Sequence, residues 1–204
     1  MNYIKDIFNL NKIIKVMLFV FIPSLLFYII SFFTMKSYGY ETMDIIRDFA
    51  QIVDVPSVLG LLSTLGTWLW VSSAAISFFA VIAFKHNREN RLLLLLGIFS
   101  ILLAIDDFFM IHDRYVNEYI CYATYAILAL ALLFYYFKTI IKIDAFSFLL
   151  AGILLATSIF IDIIQDDLPF KYSNVQIFEE AFKFVGAAIW LYFSSLVAVF
   201  LSKE

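Results

Sequence analysis

Charge is scarce in this chain. Asp, Glu, Lys and Arg make up 15% of its 204 residues, against about 25% in ordinary soluble domains. The few basic residues are scattered, which argues against a nucleic-acid partner. Cysteine occurs once, at Cys121, so an internal disulfide and a cysteine-based zinc site are both excluded. Its apolar surroundings mark it as a small buried hydrophobe. Glycine (6) and proline (3) are sparse, and no Gly/Ser linker, low-complexity tract or repeat divides the chain.

What fills the chain instead is hydrocarbon. Hydrophobic residues make up 64% and aromatics 19%, with a mean hydropathy of +0.94. Several apolar runs reach the ~20 residues that a bilayer-spanning helix needs. The fold expected is all-α: a polytopic membrane protein, a single integral membrane domain over 1–204, with membrane lipid as its surroundings. The first apolar stretch is too long for a signal peptide and no small-residue cleavage site follows it, so it is expected to stay as a span.

Six transmembrane helices can be read, at about 16–33, 58–84, 92–111, 120–141, 145–165 and 177–201. The loops are short, which makes consecutive helices antiparallel neighbours in a bundle. Lys5, Lys12, Lys15, Lys85, Arg88, Arg91, Lys138, Lys142 and Lys203 fall on one face, with only Asp6, Glu89, Asp144 and Glu204 as acids. An excess of Lys and Arg marks the cytoplasm. Both termini are therefore expected in the cytoplasm, of a bacterial inner membrane, and the other acids face outward. In the first outer loop Met43, Ile46, Ala50 and Val53 recur at helical spacing opposite Asp44, Arg47, Asp48 and Gln51. This predicts an amphipathic helix over about 41–54, lying in the interface or closing over the acidic end. Pro56 ends it.

The acids are placed at one level. Asp106 lies about fifteen residues into the third span, ~22 Å across a core of ~30 Å. Asp107 follows it, Asp162 and Asp166 close the fifth span, and Glu179 and Glu180 open the sixth, with Lys183 one turn in. Asp113, Arg114, Asp166 and Asp167 sit where water can reach them. Asp106 and Asp162 have apolar residues on both sides, where a carboxylate is costly and usually functional. Crowded acids in a low dielectric cannot all stay ionised, so either some are protonated or a cation joins them.

A divalent metal cation is the cofactor this pattern suggests, with Asp106, Asp107, Asp162, Asp166, Glu179 and Glu180 as candidate ligands. His112 and Lys183 are the candidate catalytic groups, one as ligand or base and one to stabilise negative charge. In a straight helix His112 points to a different side from Asp106. His86, among Lys85 and Arg88, reads as solvated. Small residues at helical spacing (Gly60 and Thr64, Gly66 and Ser73, Gly152 and Ala156) read as close helix contacts. Trp68 and Trp70 read as membrane filler.

In outline only, the plan resembles multi-span hydrolases of the ceramidase and adiponectin-receptor type. The late-span histidine pair of those enzymes is replaced here by Glu179, Glu180 and Lys183, so no role carries over. The reading this leaves is a metal-dependent membrane enzyme acting on a lipid or amphiphile. A cation or proton pathway is the first alternative; since the inner halves of the spans carry almost no ionisable group, it would need a homo-oligomer to complete it. A membrane sensor or structural partner is the second.

Overall fold

The computed structural model describes residues 14, 17–46, 53–56, 59–84 and 90–203. The lysines at 5, 12 and 15, the loop carrying Lys85, His86, Arg88 and Glu89, residues 47–52 of the expected amphipathic helix, and Glu204 lie outside the described residues. The described residues form helices joined by turns, with no strand among them. The chain divides into two compact units, 1–59 and 60–204.

In the first unit a π-helical turn, Met17–Phe21, runs into α1, Ile22–Ser37. Pro23 sits in the first turn of α1, where its missing N–H costs nothing. Gly39, at φ +92°, lets the chain turn away after it. At 16 residues, α1 alone is shorter than the ~20 needed to cross a bilayer. Of the expected amphipathic helix over 41–54, Thr42–Ile46 is helical (α2), with the Asp44 side chain accepting from the Glu41 N–H at 3.0 Å. Val53 and Asp54 instead form a turn in which Asp54 takes φ +51°, so the helix does not reach its expected end.

The second unit holds α3 (Leu61–Ala83), α4 (Asn90–Phe109), the single turn α5 (Ile111–Arg114), α6 (Glu118–Tyr135), α7 (Phe137–Ile164) and α8 (Tyr172–Leu201). Five of these helices, α3, α4, α6, α7 and α8, are long and apolar enough to cross a membrane. They match the second to sixth expected spans, with shifted ends. Within α7 the backbone of Asp144 is extended. Its carboxylate accepts from the Ser147 N–H at 3.1 Å and the Ser147 hydroxyl at 2.6 Å, capping a new helical start. The expected start of the fifth span at 145 is this cap.

Lipid tails are as apolar as leucine, so close fit and hydrogen bonds hold such helices together. In α8 the buried residues Val175, Glu179, Gly186, Trp190, Phe193, Val197 and Leu201 recur every three or four or seven positions, as one helical face. Across the middle of the bundle Ser73 of α3 donates to Ser194 of α8 at 2.8 Å and lies 3.0 Å from Ser100 of α4. The indole N–H of Trp190 donates to Ser100 at 2.9 Å. All three hydroxyls are fully buried. They lock α3, α4 and α8 in one register.

The spacing of small residues marks Ser73 as a helix contact, which it is, but the glycines it marks are not the tight ones. A Cβ on Gly186 would stand 2.9 Å from the Leu155 side chain, and one on Gly97 2.7 Å from the Phe78 ring. A Cβ on Gly60, Gly66 or Gly152 would meet nothing within 4 Å. Gly152, expected at a helix contact, instead faces open space beside α6, the least buried of the five helices.

Candidate functional site

That open space is a cavity of about 420 Å³ bounded by α3, α4, α6, α7 and α8. Its body is apolar. Ala126, Ala129, Leu130 and Leu133 line it from α6, Leu149, Gly152, Ile153 and Ala156 from α7, and Phe99 and Trp190 from α4 and α8. Its other end is polar and carries Asp106, Asp107, His112, Tyr122, Asp162, Glu179 and Lys183. From Tyr122 to Leu133 along α6 is eleven residues, ~16 Å at ~1.5 Å per residue.

The polar end is built from three hydrogen-bonded chains. The first depends on a break in the backbone. Met110 adopts φ +51°, which ends α4 and turns α5 back over it. His112 then reaches Asp106 twice: its N–H donates to one carboxylate oxygen at 2.9 Å, and its Nδ1 lies 2.8 Å from the other. The expectation that the two residues point apart assumed a straight helix, and the left-handed turn at Met110 overturns it. Nε2 lies 3.4 Å from the exposed Asp113. The hydrogen bond to Asp106, seconded by the charges of Asp106, Asp113 and Asp107, raises the pKa of His112 above its ordinary 6.5, against the opposing effect of burial.

In the second chain, Asp107 accepts from the indole N–H of Trp70 at 3.2 Å and faces the Lys183 ammonium at 3.6 Å. Lys183 donates to Glu180 at 2.7 Å. The lysine therefore takes Glu180 on its own helix and Asp107 across the bundle. Glu180 lies outside the main cavity, in a small crevice with Trp70 and Lys183.

The third chain joins three helices through a 3₁₀ turn. Tyr122 of α6 donates to Asp162 of α7. Asp162 also accepts from Gln165 at 2.7 Å, in the 3₁₀ turn Gln165–Asp167. Gln176 of α8 donates to Gln165 at 3.1 Å and to Glu179. Among the described residues no Lys, Arg or His forms an ion pair with Asp162 or Glu179.

Of the residues singled out from sequence, Asp106, Asp107, His112, Asp162, Glu179 and Lys183 thus line one cavity. Among the described residues no three His, Cys, Asp or Glu stand close enough together to hold one metal ion. The carboxylates are spread around the wall, and each is met by a protein donor. Asp113, Arg114 and Asp167 are exposed, as expected, and Cys121 is buried. Sequence reasoning missed Trp70, Tyr122, Tyr125, Gln165, Gln176 and Trp190. The signal for one side was present: Tyr122, Tyr125, Ala126, Ala129 and Leu133 form a stripe at helical spacing on α6.

A family model described as a domain of unknown function (DUF8692) matches residues 14–197, and the chain belongs to that family. No curated protein and no solved structure matches it.

Proposed function

We propose that this member of the DUF8692 family is a membrane enzyme that takes an amphiphile into the cavity and works on its polar end by acid–base chemistry. The chain crosses the bilayer six times, with Met17–Ser37 as the first crossing and an interfacial helix that starts at Thr42 and ends before the turn at Val53. Both termini lie in the cytoplasm, and the acidic end faces outward from a bacterial inner membrane. The observation that carries this reading is the continuity of one cavity from an apolar chamber to a hydrogen-bonded polar end. Pockets that bind small molecules are mostly apolar, with a few convergent polar groups, and span about 300–1,000 Å³.

His112 is the acid–base group. Asp106 engages Nδ1 and fixes the ring, so Nε2 is the atom that takes or gives the proton. Lys183, held by Asp107 and Glu180, is placed to steady negative charge on the reacting head. In a metal-dependent form of the same reading, Asp106, Asp107, Asp162 and Glu179 would supply ligands to a divalent cation and His112 would serve as a further ligand. The dispersed carboxylates favour the form in which His112 acts by itself.

The experiment incubates purified protein with a membrane lipid extract and follows the lipid species by mass spectrometry. Wild type is expected to convert at least one amphiphile, and His112→Gln to do so at least ~100-fold more slowly. An extract left unchanged by wild type would refute the enzyme reading, and equal conversion by both proteins would refute the role of His112. Elemental analysis of the same samples separates the two forms. Stoichiometric metal in wild type that is lost in Asp106→Ala belongs to the metal-dependent form only.

A further inference from the structure

The acids at the polar end of the cavity are not all partnered alike. Asp106 is matched by His112 and Asp107 by Lys183, which also serves Glu180. Asp162 and Glu179 are different. Asp162 is held by the Tyr122 hydroxyl and the Gln165 amide, and Glu179 by the Gln176 amide, all uncharged donors. A carboxylate offers about four acceptor sites. Asp162 has two side-chain donors here and Glu179 one, so both keep acceptor capacity toward the cavity they line.

We propose that the cavity selects a single-chain amphiphile with a positively charged amine head, seated between Asp162 and Glu179, with its hydrocarbon chain lying between α6 and α7. This rests on the amphiphile reading above and names the ligand class. An ammonium has three donors and no acceptor, which complements two carboxylates that form no ion pair among the described residues. Tyr122 and Tyr125 add aromatic rings at the same end, and cations are attracted to such faces. A small hydrated cation would make no use of the apolar chamber. A carboxylate or phosphate head would meet like charge from Asp162 and Glu179. Ala126, Ala129, Gly152 and Ala156 are small residues along the chamber, and its volume of about 420 Å³ suits a single chain.

The test uses Trp70 and Trp190, both of which line the cavity, as reporters. Exposed Trp68 is replaced by Phe, and the protein is placed in nanodiscs of zwitterionic lipid. Three probes of equal chain length, each brominated along the chain, are compared: a long-chain primary amine, the corresponding alcohol and the corresponding fatty acid. The amine is expected to quench saturably and to bind ~10-fold or more tightly than the alcohol, with the fatty acid weakest. Asp162→Asn and Glu179→Gln should each erase most of the preference for the amine. Gly152→Leu, whose side chain would occupy the chamber, should abolish saturable quenching by all three.

Equal affinity for amine, alcohol and fatty acid in the wild-type site, lost in Gly152→Leu, would overturn the cationic head and leave the amphiphile reading standing. Absence of saturable quenching by any probe, or quenching that Gly152→Leu leaves intact, would overturn both. The comparison of the three probes needs only the intact site, so a variant that fails to fold does not blunt it.

Discussion

At the scale of single residues, the position of His112 depends on one backbone angle. Met110 holds φ +51°, a conformation that costs an L-residue other than glycine roughly 1–2 kcal/mol. Met110→Gly should therefore raise the thermal midpoint in detergent, by the equivalent of about 1 kcal/mol, and keep the Asp106–His112 contact. Met110→Val should lower the midpoint and loosen the contact.

The same contact predicts a pH dependence. The pKa of His112 is raised above 6.5, chiefly by its hydrogen bond to Asp106, so the fold favours the protonated ring. The stabilisation this gives is complete below 6.5 and is lost as pH rises through the elevated value. The midpoint of wild type should fall relative to that of His112→Gln as pH is raised from about 6 to about 9. A difference between the two proteins that stays constant with pH would contradict the pairing. In the sequence Asp106 and His112 were visible as chemistry-bearing residues. Their partnership was not, because a helix projected through 110 sends them apart and no glycine or proline announces the break.

At the scale of elements, apolar length placed the helices well, since a run of ~20 apolar residues has few other fates. Their contacts were harder to read. Glycine spacing gives the same signal whether the missing side chain admits a neighbouring helix, as at Gly186, or opens a void, as at Gly152. The two glycines should respond in opposite ways. Gly186→Ala forces a Cβ within 2.9 Å of Leu155, and overpacking of this kind costs about 1–3 kcal/mol. Gly152→Ala meets open space in a helix interior and should stabilise by about 0.5–1 kcal/mol, the helix-propensity gain of Ala over Gly. Thermal unfolding of the pair in one detergent tests this; equal losses would show that both glycines sit at helix contacts. The serine layer was likewise hidden. Ser73, Ser100 and Ser194 are common residues in three apolar runs, and only their meeting gives them a role.

At the scale of the molecule, the shared level of the acids was legible because helical rise converts sequence position into depth. It brought Asp106, Asp107, Asp162, Glu179 and Lys183 to one end of the bundle before any coordinates. The cavity beneath them was not legible. Its walls are alanine, leucine, glycine and aromatic side chains that any membrane helix carries, and a void depends on how helices are spaced. The acids therefore suggested a bound cation, whereas His112 and Lys183 already answer part of their charge. What stays open is the apolar chamber and, at its head, the two acids that form no ion pair among the described residues.

The most direct measurement is native mass spectrometry of the protein released from its own membrane in mild detergent, wild type beside Gly152→Leu. The account predicts one amphiphile bound per chain in wild type and none in the variant, with both proteins folded by circular dichroism. A wild-type protein that carries no such molecule, or a variant that retains it, would contradict the claim that this cavity is where the protein does its work.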